Sequence, residues 1–249
     1  MKYYEGHEQE YQRRLQAGHV AWDAGAYEAF DMLPWLRECL AVTSFDALVP
    51  RALDLGCGTG ALAVFLAQQG FDVMGVDISF TAIKEARKQA AQRKVQVDYS
   101  VADICALTLP EDSFDLITDN HFLHCIVFED ERMQVLAGIH ALLKPGGQYW
   151  IETMVGHPAM KSCPEWNMDA DGITWADLGD GETIEGCKTA AGKNWLPIRR
   201  IRLNSPMLAG EIQQAGFEIL WQETLPPKDE KDTGSFRARC AKNSHNRAL

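Results

Sequence analysis

Hydrophobic and polar positions switch between two periods along this chain. From residue 51 onward, short apolar runs alternate with stretches whose apolar residues fall three and four apart. Arg51 to Leu55, Asp72 to Asp77, Val95 to Val101, Phe114 to Thr118 and Gln148 to Thr153 read as strands. Between them Ala61 to Gln69, Thr81 to Lys94 and Glu129 to Leu143 read as helices, the first closed by Gly70 and the second capped by Ser79. The second helix gathers Ala82, Ile83, Ala86 and Ala90 on one face, which predicts a solvated face for Lys84, Arg87, Lys88, Arg93 and Lys94. Such alternation predicts right-handed crossovers and a mostly parallel sheet with helices on both faces.

Two segments depart from this rhythm. Residues 1–45 read as helical and aromatic-rich, with Pro34 starting or breaking a helix, and are expected to form an N-terminal lid segment. Residues 46–249 form the main domain, interrupted at 154–204 by a stretch with little periodicity. A stretch that long predicts a partly structured insertion serving as a substrate lid. A helix, Pro206 to Ala215, and two strands, Phe217 to Glu223 and Ser235 to Ala241, complete the chain. The link between the two strands is too short for a helical crossover, so they are expected to pair antiparallel.

Composition narrows the class. The chain has 249 residues, a formal net charge of −11, 46% hydrophobic and 24% charged residues, ample for one sizeable core. The acidic balance argues against DNA or an anionic membrane as the main partner. The polar start is unlike a signal peptide, and no apolar run approaches the ~20 residues that cross a bilayer. A cytoplasmic location is the expectation. Seven scattered cysteines without a C-x-x-C pair read as reduced thiols, with no metal site expected.

The most informative segment is Leu53-Asp-Leu-Gly-Cys-Gly-Thr-Gly60. Gly56, Gly58 and Gly60 stand where a strand turns into a helix, so backbone can approach a ligand closely and a helix N-terminus offers free N–H groups. Asp77 ends the second strand and can accept both hydroxyls of a ribose. Asp103 ends the third and can accept from an adenine amino group. Three neighbouring strand tips thus describe a mononucleoside site. The pattern Gly56-x-Gly58-x-x-Ala61 also satisfies the relaxed dinucleotide fingerprint, so a nicotinamide-dependent oxidoreductase stays open on these residues alone.

The chain resembles the class I S-adenosylmethionine-dependent methyltransferases of small-molecule type. The glycine loop, Val76-Asp-Ile-Ser79, Ala102-Asp-Ile104, Leu109-Pro-Glu-Asp-Ser-Phe-Asp-Leu-Ile117, Asn120 with Leu123-His124, Leu142-Leu-Lys-Pro-Gly-Gly147 and Ala215-Gly-Phe217 follow one another in family order. The resemblance implies a Rossmann-like α/β fold: a seven-stranded, mostly parallel sheet whose last strand is antiparallel. It implies S-adenosyl-L-methionine as cofactor. Gly56, Cys57, Gly58 and Gly60 would lie against it, with Asp54 behind the loop. Asp77 would take the ribose, Ile78 the adenine face and Asp103 the adenine amino group. Ala102 and Ile104 would flank that group, and Asn120 would lie along the methionine portion.

Methyl transfer from a sulfonium needs alignment and water exclusion more than acid–base help. Where a base is required, His121 and Asp119 after the fourth strand come first, followed by His157 and Glu152. His124 reads as structural. The acceptor is expected to be a small molecule covered by the two irregular segments, with Trp22, Tyr27, Trp166, Trp175, Trp195 and Arg199 as contacts. Glu165 to Gly186 carries seven carboxylates and no Lys or Arg, which suits a cationic acceptor, whereas Arg199, Arg200 and Arg202 suit an acidic one. An RNA or protein methyltransferase and a non-catalytic S-adenosylmethionine-binding subunit are the competing functions.

Overall fold

A computed structural model describes all residues except 1, 21, 23–26, 159, 161–166, 180–183, 230–231 and 243–249. The strands of the main sheet are β1 Arg51–Leu55, β2 Asp72–Asp77, β3 Asp98–Val101, β4 Phe114–Asn120, β5 Leu143–Val155, β9 Phe217–Leu225 and β10 Gly234–Lys242. Their order is β3-β2-β1-β4-β5-β10-β9. The first five are parallel, and β10 runs antiparallel to both β5 and β9. The short 226–233 link imposes this last pairing, as the sequence predicts.

Adjacent residues of the central strands point to opposite faces, and each face has its own helices. Ala52, Leu116 and Trp150 pack under α2 (Leu33–Val42), α3 (Ala61–Gln68) and α4 (Phe80–Gln92), through Leu36, Leu66, Ile83 and their neighbours. Leu53, Ile117 and Tyr149 pack under α5 (Glu129–Leu142) and α6 (Ser205–Gln214), through Leu136, Ile139 and Ile212. Ser79 caps α4 by accepting from the Ala82 N–H at 3.0 Å. Pro34 lies in the first turn of α2, where its missing N–H costs no bond.

The two irregular segments are more ordered than their sequences suggest. At the N-terminus lies α1 (His7–Gln16), and between it and α2 the described residues Trp22, Tyr27, Phe30 and Asp31 form a crossing at the carboxyl ends of the strands. Arg93, expected on a solvated face, instead fastens this crossing. Its guanidinium lies 2.7 Å from Glu28 and 4.1 Å from the centre of the Tyr27 ring. Within 154–204 the chain forms a second sheet of β6 (Ile173–Gly179), β7 (Lys188–Ala190) and β8 (Lys193–Arg200), ordered β6-β8-β7 and antiparallel. Register shifts at Thr174/Trp175 and Asp177/Gly179 break the two-residue period, which hides these strands in the sequence. Ile173 packs with Tyr3, Tyr4, Ile126 and Val127 in a small core of its own.

The insertion is fastened to the main domain by a buried charge cluster. Glu211 of α6 accepts from Arg132 of α5 at 2.5 and 2.8 Å and from Arg202 at 2.9 Å. Arg202 also reaches Glu129 at 2.8 Å. The arginines hold the Glu211 carboxyl at about 2 against the opposing effect of burial. The six described cysteines are free thiols. Among the described residues no helix is long and apolar enough to cross a membrane.

Candidate functional site

A cavity of about 590 Å³ opens over the carboxyl ends of β1, β2, β3 and β4, the place where open α/β sheets bind ligands. The loop after β1 forms its floor. Gly56 and Gly58 have φ of +60° and +53°. A Cβ on Gly58 would come within 2.5 Å of the Tyr11 hydroxyl, so only glycine lets α1 settle on the loop.

Asp77 is buried at the end of β2. One of its oxygens accepts from the Gly58 N–H at 2.9 Å and the other from the Ser79 N–H at 2.8 Å. Burial raises its carboxyl above the usual range, although both N–H bonds and His7 oppose this. Two bonds leave a carboxylate with spare lone pairs for a ligand. At the end of β3, Asp103 accepts from the Cys105 N–H and from the Tyr4 hydroxyl, each at 2.9 Å, with Lys2 3.5 Å away. Asp54 was expected behind the loop, yet it lines the cavity. Its Oδ1 accepts from Thr118 at 3.1 Å, and its Oδ2 is buried without a partner. Burial holds this carboxyl up at about 8. Asn120 Oδ1 is likewise buried and unpaired.

Of the residues that the resemblance assigns to the cofactor, all but Gly60 line this cavity. Gly60 lies one layer lower, under the Tyr99 hydroxyl. His7, Tyr4 and Tyr11 were not anticipated here. Their one signal is spacing, since three and four residues place them on one helical face. Burial works to lower the His7 imidazole, but Cys125, the Tyr4 carbonyl and Asp77 outweigh it and hold the ring at about 9.

The cavity is also lined by His121, Glu152, Arg199 and Arg237, and by Trp22, Tyr27 and Phe30; Trp22 stands edge-on to Tyr11, and the Tyr27 hydroxyl donates to the Thr59 carbonyl at 3.0 Å, beside the glycine loop. His121 has a φ of +66°, an uncommon backbone for a non-glycine residue. Its N–H donates to the Glu152 carbonyl at 2.7 Å, which fixes that conformation. Nδ1 is buried without a partner, and Nε2 lies 3.8 Å from Glu152 Oε1. Burial depresses the imidazole pKa, which Glu152 and Asp31 oppose and Arg199 and Arg237 reinforce. Arg237 grips Glu152 through Nε at 2.9 Å and Nη2 at 3.3 Å. In sequence Arg237 is one polar residue in an alternating strand, and nothing there marks it as part of a site.

Four residues named from the sequence lie elsewhere, and a fifth is not described. Asp119 is fully buried and accepts from the Phe122 and Leu123 N–H groups and the Tyr149 hydroxyl, at 2.7, 3.0 and 3.0 Å. Its carboxylate fixes the loop that carries His121, with burial raising its pKa to about 7. His157 lies off the cavity, its Nε2 3.2 Å from the Asp232 carbonyl. Trp175 sits in the insertion sheet, donating to Asp169 at 2.7 Å under the Lys188 ammonium. Trp195 donates to the Ala190 carbonyl at 3.3 Å in the same sheet. Trp166 lies outside the described residues. His124 lines the cavity but is buried, with Nδ1 3.2 Å from the Thr153 hydroxyl.

Residues 52–147 match the family model of a methyltransferase domain. Over that stretch the chain is similar to methyltransferase domains. A ubiquinone biosynthesis O-methyltransferase from Coxiella burnetii is 35% identical over 104 residues, 42% of this chain and 43% of the relative. The chain therefore matches less than half the length of that relative. In fold, the chain resembles a SAM-dependent methyltransferase from Methanosarcina mazei, with a TM-score of 0.65 and 20% identity over 86% of this chain and 99% of the other. The cyclase SpnF is similar as well, with a TM-score of 0.63 and 19% identity over 96% of this chain and 97% of the other. At such identities the likeness concerns fold alone, and the reaction has to be read from the site.

The site fits the family's cofactor. Asp77 retains lone pairs for ribose hydroxyls, Ile78 and Ile104 supply apolar walls, and the unpaired Asp54 Oδ2 and Asn120 Oδ1 suit a cationic amino-acid end.

Proposed function

We propose that this protein is a class I S-adenosylmethionine-dependent methyltransferase that transfers a methyl group to an oxygen of a small molecule. The supporting observation is one cavity lined both by buried, unpaired acceptors on Asp54 and Asn120 and by the His121 imidazole. The name of the Coxiella burnetii relative favours oxygen as the methylated atom.

When bound, the cofactor supplies a methyl group on a positively charged sulfur that leaves as a neutral thioether. Asp77 and Asp103 hold its nucleoside end, and Asp54 and Asn120 hold its amino-acid end. Tyr4, His7 and Tyr11 cover it from above and exclude water. With Nδ1 buried, Nε2 is the nitrogen of His121 available at the cavity. Nε2 takes the acceptor's hydroxyl proton as the oxygen–carbon bond forms and the carbon–sulfur bond breaks. Depression of the His121 pKa keeps the ring neutral and ready to accept it. Glu152, braced by Arg237, stabilises the imidazolium that results. The N-terminal segment and the 154–204 insertion serve as the two covers of the reaction.

Calorimetry with S-adenosylhomocysteine and a labelled-methyl screen against small hydroxylated compounds test this reading. Binding followed by transfer supports it. Binding without transfer to any small acceptor, or salt-sensitive transfer to RNA, overturns it. Within it, His121→Ala should lower kcat by about 10²-fold or more with donor affinity intact. Full turnover removes His121 from the mechanism.

A further inference from the structure

Three arginines stand close together at the end of β8, and two of them are paired. Arg200 lies 3.1 Å from Glu129 and donates to the Val127 carbonyl at 3.2 Å. Arg202 is shared between Glu129 and Glu211. Arg199, on the cavity wall, has no hydrogen bond or ion pair from its guanidinium among the described residues. The other Lys and Arg side chains of that wall do have partners. Arg237 is held by Glu152, and Lys228 lies 3.7 Å from Asp31. In a chain with eleven more acidic than basic residues, carboxylates are abundant, yet none described meets Arg199. The position is not loose, because β8 pairs Arg199 with Thr174 of β6 within the insertion sheet.

Arg199 lines the same cavity as His121 and the rings of Phe30 and Phe122; Phe122 follows His121 in the chain, and Phe30 adjoins Asp31, whose carbonyl accepts from Arg237 at 3.2 Å. A planar guanidinium fork matches a carboxylate through two parallel N–H bonds. Flat apolar walls match an aromatic ring. A neutral imidazole matches a hydroxyl that must lose its proton.

We infer that the acceptor is an aromatic hydroxy acid, its carboxylate held by Arg199 and its hydroxyl presented to His121. This rests on the methyl-transfer reading above and names the substrate class of that same cavity. It also resolves the opposed charge signals of the sequence. Asp169, Asp171, Asp177 and Glu185, the described carboxylates of the stretch that suited a cationic acceptor, do not line the cavity, whereas Arg199 does.

A second consequence is electrostatic. The groups acting on His121 are Glu152 from β5, Asp31 from the N-terminal crossing, Arg199 from β8 and Arg237 from β10, with the His124 ring 5.6 Å away. Arg199 is among those that depress the imidazole. A bound carboxylate offsets that cation, so the base strengthens when the acid arrives.

The test uses matched pairs of hydroxybenzoates and hydroxycinnamates with their uncharged amides, titrated into the protein with and without S-adenosylhomocysteine. At least one acid should bind tenfold or more tightly than its amide. That preference should fall to within about threefold in Arg199→Gln and return in part in Arg199→Lys. NMR of labelled histidine should show His121 titrating higher in Arg199→Gln, and higher in the wild type once the acid is bound. Equal binding of every acid and its amide overturns the inference, as does a preference that survives in Arg199→Gln. Retained S-adenosylhomocysteine affinity shows that the variants are folded. If S-adenosylhomocysteine fails to bind the wild type while the acid preference holds, the methyl-transfer reading fails and the carboxylate site stands.

Discussion

Glu8, on the first helix, caps the helix that follows β2. Its carboxylate accepts from the Ser79 hydroxyl at 2.6 Å and from the Thr81 N–H and hydroxyl at 3.1 and 2.5 Å. One side chain thereby ties the N-terminal cover to the strand end that carries Asp77. Glu8→Ala should speed dissociation of S-adenosylhomocysteine by about tenfold in stopped-flow measurements, since charge-assisted bonds are lost. An unchanged rate would show that the cover does not gate the cofactor. Burial opposes ionisation here, but the Ser79 and Thr81 bonds prevail and hold Glu8 at about 2. A depressed carboxyl anchors fully above its ordinary pKa near 4.5 and loses hold as pH falls toward 2. The cover should therefore stay latched at neutral pH and loosen only in strong acid.

Asp54 should release a proton when the cofactor binds. With its carboxyl at about 8, it is mostly protonated at pH 7 in the free protein. A cationic ammonium beside its unpaired Oδ2 favours the ionised form, so affinity should rise as pH increases from 6 to 8. Calorimetry of S-adenosylhomocysteine binding in buffers of different ionisation enthalpy measures the release directly. No proton release near pH 7 would place the ammonium elsewhere.

Asp77→Ala should weaken S-adenosylhomocysteine by more than tenfold, because the ribose acceptors are lost and the Gly58 N–H is left unpaired. Unchanged affinity would move the nucleoside away from β2.

Gly58→Ala should abolish cofactor binding while the protein remains folded by circular dichroism. The new methyl meets the Tyr11 hydroxyl at 2.5 Å, and the φ of +53° strains any residue with a Cβ. Adding Tyr11→Phe removes the clash and should recover part of the affinity. No recovery would place the defect in the backbone alone.

Glu211→Gln should cost about 3–5 kcal/mol in urea unfolding, because it strips the anion from two buried arginines. The carboxyl is held at about 2 when folded, so its contribution is complete above pH 4.5 and fades as pH falls toward 2. A loss below about 1 kcal/mol would mean that Glu129 alone satisfies Arg202.

The central sheet and the meeting of the glycine loop with Asp77 and Asp103 in one cavity were legible from residues alone. Glycines at a strand–helix turn and acids at strand tips are short-range signals, and regular crossovers place successive tips side by side. The insertion sheet was not legible, because bulges at Trp175 and Gly179 spoil its period and its core is completed by Tyr3 and Tyr4 from the far end of the chain. Asp119 and His121 are two residues apart and looked equally suited to catalysis. Only packing turned Asp119 toward Tyr149 and the loop N–H groups and left His121 facing the cavity.

Sequence by itself determined that the glycine loop and the acids at two neighbouring strand tips line one cavity, since they sit on consecutive turns of one repeating unit. The tertiary structure decided what lines the rest of that cavity. His121, Glu152, Arg199 and Arg237 come from four separate strands or loops, and Trp22 and Tyr27 from a fifth segment. No local pattern records which distant side chains a fold will bring together, or which one of three neighbouring arginines it will leave without a counter-charge.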